Sequence, residues 1–282
     1  MTGLFTGAVY SLVSIGLTII FGTIRIVNFA HGEMLMLGMY LTFFLWSILG
    51  IDPLVALPIV FAVFFTAGYI LQSTLIRPIQ KHPIHAQMLM TLGLLLVLQN
   101  GAVLAWTADF RRVHTPYTDL TIRLGQDLFI DFPRMVAFLA SLIMSLGLYI
   151  FLTKTYWGVA IRAVGQDSET AEILGVDVKR VYALTFGLGT ACAAAAGTLI
   201  STYFPIYPYV GTTYIVMAFI VAVMGGLGNF LGAFLAGLVI GVVETLVAFG
   251  VSPLLRQTIP LVIFLLVLFF KPEGLFMIRL RK

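Results

Sequence analysis

Nine apolar runs, each separated from the next by polar or glycine-rich breaks, leave this chain little choice of fold. They cover residues 3–24, 33–49, 54–76, 86–106, 135–152, 181–202, 209–224, 230–249 and 252–270. Most reach the roughly 18–20 residues that span a hydrocarbon core as helix. Composition agrees, because only 10% of the 282 residues are charged and 60% are hydrophobic. An ordinary soluble domain carries about 25% charged residues and roughly half apolar ones. A soluble fold of this length could not hide so much apolar surface. The expected fold class is all-α, a polytopic transmembrane helix bundle of about eight or nine membrane segments, some broken or short. No low-complexity linker or soluble domain interrupts it, so residues 1–282 read as a single transmembrane domain with a cytoplasmic loop at about 153–180.

The first run begins almost at Met1, without a basic stretch before it or a convincing cleavage site after it. It reads as a retained helix and not a removed signal peptide. Arginine and lysine then orient the bundle, since cytoplasmic loops carry their excess. One set of alternating loops holds Arg25, Arg77, Lys81, Lys154, Arg162, Lys179, Arg180, Lys271, Arg279, Arg281 and Lys282. The other holds only Arg111, Arg112, Arg123, Arg134 and Arg256. The first set is expected inside, which puts the N-terminus outside and the C-terminus inside. Segment 209–224 is short: Pro205 and Pro208 precede it, Gly225 and Gly226 loosen its end, and about 16 residues of helix reach roughly 24 Å. A re-entrant path would erase the charge asymmetry, so a full crossing is expected.

Several functions are excluded. No G-x-x-x-x-G-K-[ST] phosphate loop is present, so the chain is not expected to hydrolyse ATP itself. His31, His82, His85 and His114 lack zinc-ligand spacing, and His31 with Glu33 forms no H-E-x-x-H. Glycines 226, 228 and 232 miss the dinucleotide-binding spacing. The pI near 9.2 reflects basic loops, with no basic run of interleaved aromatics to suggest nucleic acid. Neither metal nor cofactor is expected. The single cysteine, Cys192, lies in "GTACAAAAGTL" and excludes an intrachain disulfide.

What remains are polar groups at membrane depth. Asn28, His31 and Glu33 stand in "NFAHGE" at the start of the second span. Gln99 and Asn100 interrupt "LLLVLQNGAV", Asn229 follows "GGLG", and Glu244 sits well inside "GLVIGVVETLVAF". An ionised carboxylate at a helix centre costs about 2.5–3.5 kcal/mol on insertion scales. Interhelical hydrogen bonding accounts for Gln99 and Asn100 as well as a pathway role does. For Glu244 a functional or subunit-interface role is the stronger reading. The breaks at "NFAHGE" and at Gly226, Gly228 and Asn229 fall in opposite halves of the chain, the pattern by which interrupted helices line a transport path. Gly237 and Gly241 read as close-packing positions.

The loop at 156–181 reads as a built element. Ser168 can cap a short helix, Glu169 suits its positive end, and Gly175 can end it in a left-handed conformation. Ala171 and Leu174, three apart, would give it a small apolar face for docking.

The stretches "GTIRIVNFAHGEMLMLGMY" (22–40), "GVAIRAVGQDSETAEILGVDVKRVYALTFGLGTACAAAAG" (158–197) and "AVMGGLGNFLGAFLAGLVIGVVETL" (222–246) carry a resemblance. Together they resemble the LivH-type permease subunits of ATP-binding-cassette importers for branched-chain amino acids. The resemblance implies a multi-pass permease of the bacterial plasma membrane that passes leucine, isoleucine or valine. It implies as partners a second permease subunit, identical or homologous, two cytoplasmic ATPases and an external substrate-binding protein. The polar groups and breaks at membrane depth, Asn28, His31, Glu33, Gln99, Asn100, Gly226, Gly228, Asn229 and Glu244, are then the candidates for the translocation path. Arg162, Glu169, Ala171, Glu172, Leu174 and Gly175 become candidates for ATPase coupling. A permease for urea or short amides is the nearest rival. An ion-coupled carrier, with Glu33 or Glu244 as its protonating carboxylate, and a membrane scaffold are more distant ones.

Overall fold

A computed structural model describes residues 1–124, 128–271 and 273–276, and bears out the helical bundle. Its membrane-length helices are α1 (Thr2–Ile24), α2 (His31–Leu49), α3 (Pro53–Leu71), α4 (Ile84–Trp106), α5 (Phe132–Lys154), α8 (Val178–Ile200) and α10 (Phe230–Gly250). Two short helices, α6 (Tyr156–Gln166) and α7 (Ser168–Ile173), separate α5 from α8. Two apolar helices below full span length, α9 (Val210–Gly225) and α11 (Thr258–Phe270), occupy the remaining two apolar runs. Local chemistry sets several boundaries. Asp52 accepts a hydrogen bond from the Leu54 N–H with Pro53 at the first helical position, which starts α3. Beyond Leu71 that helix widens into a π turn, Gln72–Ile76, before a last turn at Arg77–Ile79.

The core is α8. Its alanine- and glycine-rich surface is enclosed by α1, α2 and α3, leaving 94% of its most apolar window buried. Small residues allow the helices to meet backbone to backbone. A side chain at Gly38 of α2 would overlap the Ala194 carbonyl of α8. A second seam joins α1 to α10, which run antiparallel: Gly3 lies against Gly241, and Gly22 against Gly228. Such small-residue contacts are how membrane helices gain van der Waals packing when lipid offers no hydrophobic driving force.

The chain reverses between two ends. One gathers Arg25, Arg77, Lys81, Lys154, Arg162, Lys179, Arg180 and Lys271, and is called the basic end below. The distal end carries Arg111, Arg112, Arg134 and Arg256. Arg279, Arg281 and Lys282 lie outside the described residues, as does the side chain of Arg123. The distal loop also holds a hairpin the sequence reading did not foresee, β1 (Thr121–Leu124) pairing antiparallel with β2 (Leu128–Asp131). Its register sets Thr121 opposite Asp131 and Leu124 opposite Leu128.

Two helices begin part-way through the bundle. After α1 ends at Arg25 in the left-handed region (φ 59°), residues 25–30 climb back along it without regular structure. The His31 ring meets the carbonyl of Val13, halfway along α1. The Val27 carbonyl, exposed by this irregular backbone, accepts from the Thr91 hydroxyl of α4 at 3.0 Å, the kind of internal satisfaction that backbone at membrane depth requires. Helix α9 likewise starts deep, below loop 201–209, with Gly211 pressed on Gly32. Its shortness therefore has a physical cause: it begins inside the bundle and runs out to the basic end, where Gly225 packs against Gly232 of α10.

Candidate functional site

The first turns of α2 and α9 meet at half depth. Gly32 and Gly211 touch through their backbones, so closely that a Cβ on Gly32 would overlap the Gly211 carbonyl. Neither helix has a side-chain N-cap, so the positive end of each dipole lies at the junction, although the His31, Glu33 and Val210 N–H groups already donate to backbone carbonyls. Three polar side chains are sealed there, each with no solvent exposure: Asn28, His31 and Glu33. Asn28 Oδ1 accepts from the Ala30 N–H at 3.1 Å, which shapes the turn, while its Nδ2 has no partner. His31 Nε2 donates to the Val13 carbonyl at 3.1 Å, leaving Nδ1 free to accept. Both carboxyl oxygens of Glu33 are unpartnered. Its side chain lies close to Gly211, where an added Cβ would stand 3.0 Å from Glu33 Cδ. From α4, Gln99 Nε2 donates to Thr212 Oγ1 at 3.0 Å and ties that helix to the first turn of α9. Phe29 and Phe219, with ring centroids 5.7 Å apart, and Ile215 supply apolar surroundings.

The other sequence candidates lie elsewhere. Asn100 points outward and donates to its own helix at the Leu96 carbonyl. At the basic end Gly226 and Gly228 take positive φ, 93° and 87°, to form the turn before α10. Asn229 caps that helix through the Gly232 N–H and holds the Phe276 carbonyl. Glu244 lies towards the distal end, only 2% exposed, with Oε1 2.5 Å from Arg256 Nε. The Tyr10 and Tyr214 rings, 5.9 Å apart, flank this pair. Glu244 therefore finds a counter-charge in its own chain through Oε1, while its Oε2 is buried without a partner. The glycine turn lies beside Gly22 and the sealed groups beside Val13, while the Glu244–Arg256 pair lies beside Tyr10 of α1 and Tyr214, one turn along α9 from Gly211. Sequence reasoning missed Gly211, Thr212 and Arg256 as partners, which only long-range contact could reveal.

At the basic end, α6 packs on α1, with Gly165 against Gly22. Helix α7 is capped by Asp167 and not by Ser168, which is its first helical residue. Asp167 Oδ1 accepts from the N–H groups of Glu169 and Thr170 at 3.0 and 3.1 Å. Bonds from the Thr170 hydroxyl and its N–H hold the Asp167 carboxyl below the usual range. The helix stops as expected, with Gly175 at φ 87° and paired bonds from Gly175 to Glu172 and from Val176 to Ala171. The expected apolar face does not form. Ala171 is buried in the chain's own fold, while Leu174 is 78% exposed beside Ile173 at 84%. Arg162, Glu169 and Glu172 are exposed on the same segment.

A bundle of this kind, with two helices starting at half depth around sealed polar groups, has the architecture of a membrane-transport domain. The chain belongs to the branched-chain amino acid transport system / permease component family, whose model matches residues 1–268. It is 29% identical to the high-affinity branched-chain amino acid transport system permease protein BraD of Pseudomonas aeruginosa, over 98% of this chain and 94% of that one. It is 32% identical to LivH of Salmonella typhimurium, over 97% and 92%. A probable LivH of Methanocaldococcus jannaschii is 29% identical over 94% and 87%. No solved structure matches.

Proposed function

We propose that this chain is the membrane permease of an ATP-driven importer of branched-chain amino acids, and that the α2–α9 junction is the gate of its path. The junction carries the reading. A zwitterionic amino acid needs a site for carboxylate and a site for ammonium. Two uncapped helix N-termini favour the first, and the unpartnered Glu33 carboxylate favours the second. Phe29, Phe219 and Ile215 suit an aliphatic side chain. Since Asn28, His31 and Glu33 are sealed, passage requires α2 and α9 to part at Gly32 and Gly211. The force for that comes from elsewhere: two ATPase subunits at the basic end, taken as cytoplasmic, seat Ile173 and Leu174 and move α6, which leans on α1. A second permease and an external binding protein complete the complex, and the protein resides in the plasma membrane.

The test is ATP-dependent leucine uptake by the reconstituted complex. Replacing Asn28 or Glu33 with Leu should abolish most uptake while assembly persists. Unchanged uptake in both variants would remove the junction from the path. Uptake by the purified chain alone, driven by a proton gradient, would overturn the ATP-driven reading.

A further inference from the structure

A cleft of about 780 Å³ opens at the basic end, between the last turns of α3 and the first turn of α8. Four cations line it, Arg77, Lys81, Lys179 and Arg180, against two carboxylates, Glu172 and Asp177. Asp177 is already engaged, 3.0 Å from Arg180 Nε and accepting the Arg180 N–H at 3.1 Å. Among the described residues, no carboxylate lies within ion-pairing distance of Arg77, Lys81 or Lys179. The cleft thus keeps a positive excess.

A second observation is independent of charge. Gln72 opens the π turn of α3 and lines the cleft, is 1% exposed, and has no partner for either amide atom. A buried primary amide left open costs the desolvation of its groups, so Gln72 gains from a polar ligand in the cleft once its side chain turns out of the wall. π turns recur where a helix is distorted for function.

The setting identifies the ligand's other half. Ile70 of α3 and Leu75 of the π turn, interleaved in sequence with the lining residues, are exposed apolar residues at the end of a membrane-length helical run. Tyr69 and Tyr182 stand in the cleft wall, at the level where aromatic rings mark a membrane interface. One ligand meets both surfaces: an anionic head among the cations with acyl chains along Ile70 and Leu75. Basic pockets between helices at the cytoplasmic face suit such headgroups. We propose that this cleft binds the phosphodiester headgroup of an anionic phospholipid such as phosphatidylglycerol. Because Glu172 of α7 forms part of the wall, the bound lipid sits against the segment that carries Ile173 and Leu174.

The experiment uses the full chain in nanodiscs made with and without phosphatidylglycerol, and reads lipid binding without reference to transport. A photoactivatable phosphatidylglycerol should label residues 69–81 and 177–182 of the wild-type chain above all other regions. Native mass spectrometry should show several-fold fewer retained phosphatidylglycerol molecules in the Arg77→Gln/Lys179→Gln variant. Lys154→Gln, which removes a cation at the same end outside the cleft, should retain as many as wild type. Excess inorganic phosphate should not displace the lipid. Labelling spread evenly over the basic end, or equal retention by the double variant, overturns the proposal. Displacement by inorganic phosphate without lipid labelling assigns the cleft to a soluble phosphate and overturns the lipid source. Loss of a bound ATPase subunit with lipid retention intact makes the cleft a protein dock, and the proposal fails.

Discussion

Replacing Arg256 with Met tests the claim that Glu244 Oε1 is held by a counter-charge within its own chain. Arg256 Nε stands 2.5 Å from the carboxylate, and Glu244 is 2% exposed while the Arg256 side chain is 50% exposed. Removing one partner of a fully buried pair costs about 3–5 kcal/mol, because the remaining charge is left unpaired. Here the arginine is only half buried, so the pair is not fully desolvated and roughly half of that range applies, about 2 kcal/mol. For a domain of this size about 1 kcal/mol moves the melting temperature by roughly 2 °C, so Arg256→Met should melt about 4 °C lower in detergent. Adding Glu244→Gln to that variant should recover most of the loss, since it removes the stranded charge and leaves only an amide to satisfy. The assay is intrinsic-fluorescence melting of wild type, both single variants and the double variant, arranged as a cycle. An unchanged melting temperature in Arg256→Met, or a double variant no better than that single one, would refute the pairing as a stabilising element.

Gly38→Ala places a methyl against the Ala194 carbonyl and should destabilise by about 1–3 kcal/mol through overpacking; the check is a lower melting temperature. Ala171→Asp should unseat α7 from its own chain, and proteolysis between 166 and 178 should rise accordingly, because Ala171 faces inward. Cysteines at 173 and 174 should cross-link to the ATPase subunits, whereas a cysteine at 171 should not; the reverse pattern would relocate the contact. Gly175→Val forces a β-branched side chain into φ 87° and should uncouple ATP hydrolysis from uptake while the membrane helices stay folded.

The membrane segments were legible because burial in lipid demands unbroken apolar length, and that demand is written locally. The end of α7 was legible for a similar reason: only a residue tolerant of positive φ closes a helix as Gly175 does. Its start was misread by one residue because Asp167 and Ser168 are both good caps and only geometry separates them. The docking face was misread because spacing of three places Ala171 and Leu174 on one side of an ideal helix, whereas Leu174 lies past the last helical residue. The hairpin at 121–131 escaped notice inside a polar loop, although "TIRL" and "LFID" carry strand-forming residues on both sides of Gly125. At the junction, "NFAHGE" announced a break, but not its depth. That depth depends on Gly211, far away in sequence, and no local pattern records a contact of that range.

The enclosure of α8 has a consequence for how the protein is made. Helices α1, α2 and α3 form its socket, yet the ribosome completes them long before it reaches Ile200. At about 5–20 residues per second the gap of roughly 130 residues lasts on the order of 6–26 s. During that interval a groove floored by Gly16, Gly38 and Gly68 stands open to lipid or to another nascent helix. The bundle cannot mature in chain order, one hairpin at a time. Its N-terminal quarter waits with that groove filled by lipid or by another helix, which α8 later displaces. Biogenesis of the protein is therefore most vulnerable between the emergence of α3 and the arrival of α8.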